Sequence, residues 1–123
     1  MKNGLAGRRV FIVEDESMIT MLLQDNLEDI GCEVAGTAFR YPDALAKSKS
    51  LSFDIAILDV NLNGHFTFPI ADILTERGLA FVFSTGYGGT RIPAPFQKAP
   101  VLQKPFQRQD LERALCAALG VQA

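Results

Sequence analysis

The chain has 123 residues, of which 48% are hydrophobic and 21% charged, with a formal net charge of −2. That is one domain of ordinary size, with apolar residues enough for a core and a composition far from that of a disordered chain. The near-neutral charge gives no footprint for nucleic acid or a membrane surface, and no apolar run approaches the length of a membrane span. No apolar stretch follows Met1-Lys2-Asn3-Gly4, so no secretory signal is read there. Cys32 and Cys116 are far apart and follow no metal spacing. They read as reduced, buried small hydrophobes in a cytoplasmic protein.

Strand-like and helix-like segments alternate. Arg8 to Val13 reads as a buried strand. Glu16 to Asp29 carries Met18, Ile19, Met21, Leu22, Leu23 and Leu27 at mixed three- and four-residue spacing, with Ile30 next, which predicts an amphipathic helix stopped at Gly31. Glu33 to Ala38 is a second strand, and Pro42 to Lys49 a short helix with proline near its first turn. Ile55 to Leu58 is apolar on consecutive residues, as a strand covered on both faces must be. Asn61 to Phe66 reads as a loop turning at Asn63-Gly64. Pro69 to Arg77 is helical up to Gly78, Leu79 to Phe83 and Val101 to Gln103 are strands, and Gln109 to Leu119 is a closing helix. The alternation predicts a doubly wound, five-stranded parallel sheet with right-handed crossovers. Between Gly86 and Pro100 lie three glycines and three prolines, so a fourth crossover helix there is short or absent. That segment is expected to bury little surface and to open at low free energy.

The chemistry gathers at strand ends. The first strand runs into Glu14-Asp15, the third into Asp59, the fourth into Ser84-Thr85-Gly86 and the fifth into Lys104-Pro105-Phe106. In an open parallel sheet these ends lie side by side, and ligands bind in the crevice outside them. Carboxylates, a hydroxyl and an ammonium on one spot suit a divalent cation and a phosphoryl group.

With Val13-Glu14-Asp15-Glu16, Leu58-Asp59-Val60-Asn61, Ser84-Thr85-Gly86 and Lys104-Pro105-Phe106 in this order, the chain resembles a response-regulator receiver domain of two-component signalling. The likeness runs from about Arg8 to Leu119, a single domain over residues 1–123. Phe83-Ser84-Thr85-Gly86-Tyr87-Gly88 further resembles the stand-alone receivers called the FATGUY group. The resemblance implies a flavodoxin-like fold with Asp59 as phosphoacceptor. A carboxylate can attack a phosphoryl donor directly to give an acyl phosphate. It also implies Mg²⁺ held by Asp15, Asp59 and the backbone carbonyl of Asn61, with Glu14 acting mostly through water. Thr85 would donate to a phosphoryl oxygen, and Lys104 would pair with Asp59 at rest and with the phosphoryl group afterwards. A cis Lys104-Pro105 bond, which X-Pro pairs tolerate at small cost, would aim the Lys104 side chain inward.

Two positions depart from the family pattern. Glu14 stands where Asp is commoner, which bears on metal affinity. Val101 stands where Tyr or Phe usually couples to the Thr as a switch, and Tyr87 is the substitute candidate. His65, with no second His or Cys to pair with, reads as solvated. The implied partners are a sensor histidine kinase or a phosphotransfer protein and a downstream protein target, with no substrate turnover beyond the domain's own phosphoryl transfer. The rival reading is a phosphorylation-independent interaction module of the same fold. A Mg²⁺-dependent phosphohydrolase would need an acid/base Asp two residues after Asp59, where Asn61 stands. A flavin-binding protein would need a Ser/Thr/Gly-rich phosphate loop after the first strand, where Glu14-Asp15 stands.

Overall fold

A computed structural model of the chain describes residues 4–86 and 92–121. In chain order the elements are β1 (Arg9–Val13), α1 (Ser17–Ile30), β2 (Glu33–Ala38), α2 (Tyr41–Ser50), β3 (Ile55–Asp59), β4 (Asn61–Leu62), β5 (His65–Phe66), α3 (Phe68–Arg77), β6 (Ala80–Thr85), β7 (Val101–Gln103) and α4 (Arg108–Leu119). Five strands form one parallel sheet in the order β2-β1-β3-β6-β7, the doubly wound order of flavodoxin-like folds. The order reverses between β1 and β3, so the crevice opens between the ends of those two strands.

Side-chain alternation along the strands builds two apolar layers. Val10 and Ile12 of β1 and Ile55 and Ile57 of β3 face α1 and α4, packing with Leu23, Leu27, Leu111 and Leu115. Phe11 and Val13, with Ala56 and Leu58, face α2 and α3, packing with Ala44, Ile70 and Leu74. Every residue of β3 is buried, which is why that segment reads as a continuous apolar run rather than an alternation. Truncating Ile57 to Ala, for example, would open a cavity costing about 2–5 kcal/mol.

The helix α1 buries a narrower stripe than its apolar content suggests. Thr20, Leu23, Leu27 and Ile30 are buried, while Met18 is 80% and Met21 62% exposed. The sheet covers only one face of the helix, and these methionines stand on the other. Gly31 ends it at φ 100°, with its N–H returned to the carbonyls of Leu27 and Glu28, a conformation open to glycine at no steric cost.

Two loops differ from expectation. Asn61 to Phe66 is a tight antiparallel hairpin, with Asn61 opposite Phe66 and Leu62 opposite His65. Asn63 (φ 53°) and Gly64 (φ 86°) supply the turn, the two positive φ values that an Asn-Gly pair accepts in a two-residue hairpin. Before β7 the described residues hold only a 3₁₀ turn, Ala94–Phe96, in line with a short or absent fourth crossover helix. The expectation that this segment buries little surface is corrected over residues 92–100. Phe96 is 8% exposed, stacks on Phe68 at 5.9 Å and meets Phe83 edge-on at 6.1 Å. One aromatic anchor outweighs the surrounding prolines, because a buried ring contributes more than any other single side chain.

Cys32 and Cys116 are both buried and free. Burial pushes the Cys32 thiol up to about 11, which suits a packing role. Among the described residues no helix is long and apolar enough to cross a membrane.

Candidate functional site

β1 and β3 are neighbours in register, Val13 opposite Leu58, so their next residues, Glu14 and Asp59, emerge side by side. β6 pairs Ser84 with Asp59, and β7 pairs Gln103 with Thr85, which brings Lys104 in from the other side. β6 extends past its apolar run to Thr85, so Ser84 and Thr85 belong to the sheet rather than to the loop.

One oxygen from each of Glu14, Asp15 and Asp59 lies within 4.8 Å of the others. The Lys104 Nζ stands 2.7 Å from Glu14 Oε1 and 3.5 Å from Asp59 Oδ2. The lysine was expected to rest on Asp59; its shorter contact is with Glu14, whose extra methylene lets a buried carboxylate (side chain 1% exposed) reach across. The other Glu14 oxygen, Oε2, accepts the Glu16 N–H at 3.1 Å. Asp15 Oδ2 accepts the Asn63 N–H at 3.1 Å, which ties the hairpin to the carboxylate group. The Lys104-Pro105 bond is cis.

Burial and crowding hold protons on this cluster. Asp59 is pushed up to about 7, first by burial and then by the Glu14 charge, against the lowering pull of Lys104. Glu14 is also raised, burial outweighing its bond to Lys104. For Lys104 burial works against the charge, yet its bond to Glu14 and the charge of Asp59 hold it above the ordinary lysine value. A cation placed among the three carboxylates would relieve the crowding of Glu14 and Asp59. The donor set is all hard oxygen, and its atoms lie within 4.8 Å of one another, the kind of grouping an octahedral Mg²⁺ shell draws on. The residues therefore fit that ion.

Asn61 lies where it could add its carbonyl. Thr67 N donates to Val60 O at 3.0 Å, so by the alternation of an antiparallel ladder the Asn61–Phe66 pair is the non-hydrogen-bonded one. The Asn61 carbonyl is thus left out of the hairpin, while its side-chain Oδ1 accepts the Gly64 N–H at 2.7 Å. Thr85 stands at the site's rim: its carbonyl accepts the Lys104 N–H at 2.8 Å, and its hydroxyl donates to the adjacent Gly86 carbonyl at 3.2 Å. The hydroxyl is not engaged with Asp59. Ser84 is 1% exposed, and its hydroxyl is buried. Val101 is 47% exposed, an apolar side chain at the sheet edge. His65 is exposed, its ring 5.2 Å from Tyr41, in keeping with a solvated imidazole. Tyr87 lies outside the described residues.

Sequence reading missed the Glu14–Lys104 pair and the role of Thr67. The length of Glu14 was a signal for the first. Nothing in the sequence marks the second, since Thr67 lies eight residues beyond Asp59 and meets it only through the hairpin.

The chain belongs to the response regulator receiver domain family, whose sequence profile matches residues 10–116. It is a receiver domain of two-component signalling with the flavodoxin-like receiver fold. Its sequence is 32% identical over 117 residues to the transcriptional regulatory protein TdiR of Thauera aromatica, covering 91% of this chain and 51% of TdiR. It is 39% identical over 56 residues to the chemotaxis protein CheY of Thermotoga maritima, covering 46% of this chain and 47% of CheY. The chain thus spans about half the length of the curated relatives it matches. Among solved structures, SdrG from Sphingomonas melonis Fr1 superposes with a TM-score of 0.83 at 40% identity, over 92% of this chain and 97% of SdrG. The BeF3-activated conformation of SdrG superposes with a TM-score of 0.76 at 41% identity, over 93% of this chain and 98% of that one.

Proposed function

We propose that this receiver is a stand-alone cytoplasmic response regulator that takes a phosphoryl group on Asp59 in a Mg²⁺-dependent reaction and signals through protein contacts. The observation that carries the reading is the placement of Asp59 at the end of the central strand, between two further carboxylates and the ammonium of Lys104. An Asp59 carboxylate oxygen attacks phosphorus, the bond from phosphorus to the donor's imidazole nitrogen or acyl oxygen breaks, and an acyl phosphate remains. Mg²⁺, held by Asp15, Asp59 and the Asn61 carbonyl with Glu14 acting through water, would supply charge neutralisation at the transferring group. Lys104 leaves its carboxylates for a phosphoryl oxygen, and Thr85 turns its hydroxyl from Gly86 to another. The donor is a sensor histidine kinase or a phosphotransfer protein, and the product charge biases a surface that a downstream protein reads. No other substrate is turned over. That SdrG matches along nearly its whole chain and has a BeF3-activated conformation supports both the stand-alone organisation and switching by a phosphoryl-like anion.

The test is incubation with acetyl phosphate and Mg²⁺ followed by intact-mass measurement. The wild type gains one phosphoryl mass and Asp59→Asn gains none. An unmodified wild type under saturating donor would leave the phosphorylation-independent interaction module as the better reading.

A further inference from the structure

Thr67 is fully buried, and its hydroxyl donates to the main-chain carbonyl of Asp59 at 2.7 Å. Its own N–H donates to Val60 O at 3.0 Å, and its carbonyl accepts the Ala71 N–H at 3.0 Å as α3 begins. Thr67 is therefore the residue before a helix, where a threonine hydroxyl ordinarily bonds back to the first-turn N–H groups. Here it makes no such cap, and the hydroxyl is spent on Asp59 instead.

The consequences are local and specific. The peptide between Asp59 and Val60 is held on one side by Val60 N–H donating to Ser84 O at 2.9 Å and on the other by Thr67. With both ends of that peptide fixed, the direction in which the Asp59 side chain leaves the backbone is fixed too. The same bond closes the segment from Asp59 to Thr67. That segment carries Asn61, whose carbonyl lies outside the ladder, and Asn63, whose N–H holds Asp15. One buried hydroxyl thus bears on the spacing of Asp59, of the Asn61 carbonyl and of the Asp15 carboxylate.

We propose that Thr67 is the positioning residue of the phosphoacceptor segment, acting on Mg²⁺ binding and phosphoryl transfer through the Asp59 carbonyl without touching metal or phosphorus. The proposal rests on the phosphoacceptor reading given above. Supporting groups of this kind set the affinity and rate of the site they orient.

The test compares Thr67→Val, which keeps the branched shape and removes the donor, with Thr67→Ser, which keeps the donor. Thr75→Val is the control, since Thr75 donates to Ala71 O at 2.9 Å within the same helix and meets no site residue. Mg²⁺ affinity is read by calorimetry, and phosphorylation by acetyl phosphate at saturating Mg²⁺ by intact mass. Thr67→Val should weaken Mg²⁺ and slow phosphorylation about tenfold each, while Thr67→Ser stays within about twofold of wild type. Thr75→Val should lower the unfolding temperature yet leave both readouts unchanged. Should Thr67→Val fail to fold, Thr67→Ala, which leaves the backbone bonds in place, carries the same expectation. Wild-type affinity and rate in whichever donor-free variant folds, or an equal loss in Thr75→Val, would overturn the positioning role. If wild type is never phosphorylated, the acceptor reading fails while the Mg²⁺ ratio still decides on Thr67.

Discussion

The end of β3 and the end of β6 lie side by side in the sheet but are built differently. At β3 each group has a fixed partner: the Asp59 carboxylate has Lys104, its carbonyl has Thr67, and the following Val60 N–H has Ser84 O. At β6, among the described residues, the Thr85 hydroxyl bonds to the carbonyl of the next residue, at 3.2 Å and near solvent. The Asp59 side is preorganised, which on the proposed reading lowers the cost of reaching a reactive geometry. The Thr85 bond to Gly86 spans a single residue near solvent, so on the proposed reading this is the group that would change partner. On the proposed reading, a fixed half of the site and a responsive half meet at this strand boundary.

The largest break of that contrast comes from Lys104. Replacing it with Met keeps the aliphatic stem and strands the buried Glu14 carboxylate beside Asp59. We expect a loss of about 3 kcal/mol in metal-free urea unfolding at neutral pH, the low end for an orphaned buried pair because these carboxylates can take up a proton. Phosphorylation should fall with it. A loss below about 1 kcal/mol would mean that the pair behaves as a surface contact.

Mg²⁺ comes next. On the proposed reading it would bind the folded cluster better than the unfolded chain, and at a free concentration of about one hundred times its Kd it should then add about 2.7 kcal/mol of stability. Asp15→Ala should remove most of that response, since among the described residues Asp15 is the carboxylate of the three that no cation already pairs. A full response in Asp15→Ala would remove Asp15 from the ligand set.

The metal-free protein should also lose stability with rising pH. Folded Asp59 keeps its proton up to about 7, against an ordinary value of 3.8. Between those values the folded state binds more protons than the unfolded chain, so the stabilisation is complete below about pH 4 and lost as pH passes 7. Discounted for solvent at the open mouth of the crevice, the fall is about 1–3 kcal/mol. Asp59→Asn should flatten it, and the difference between the two unfolding curves isolates this group. Parallel curves would show that Asp59 is already charged at pH 5.

The two halves of the site were unequally legible in the sequence. Asp59, Glu14 and Lys104 sit directly at the ends of apolar runs, and topology alone brings such ends together. The parallel, doubly wound sheet followed from the alternation of elements in the same way. Contacts that depend on side-chain reach were not legible: Glu14 rather than Asp59 as the shorter partner of Lys104, and Thr67 folded back by a hairpin. Phe96 was hidden for a different reason, since one aromatic among prolines leaves no periodic trace yet anchors its segment.

The smallest effect is expected at Thr85, and it bears most directly on the contrast. Its hydroxyl is near solvent and its bond to Gly86 spans a single residue, so Thr85→Ala should change resting stability by less than about 0.5 kcal/mol. If the hydroxyl turns to the phosphoryl group, its loss belongs to the phosphorylated state alone. Urea midpoints measured with and without acetyl phosphate should then show wild type stabilised by phosphorylation and Thr85→Ala stabilised less, with Thr85→Ser restoring the difference. Thr67→Val should do the reverse, moving the resting protein as well as the modified one, because its partner is a buried carbonyl present in both. Should Thr85→Ala weaken the resting protein as much as Thr67→Val does, the end of β6 is as fixed as the end of β3, and the responsive half of the site lies elsewhere.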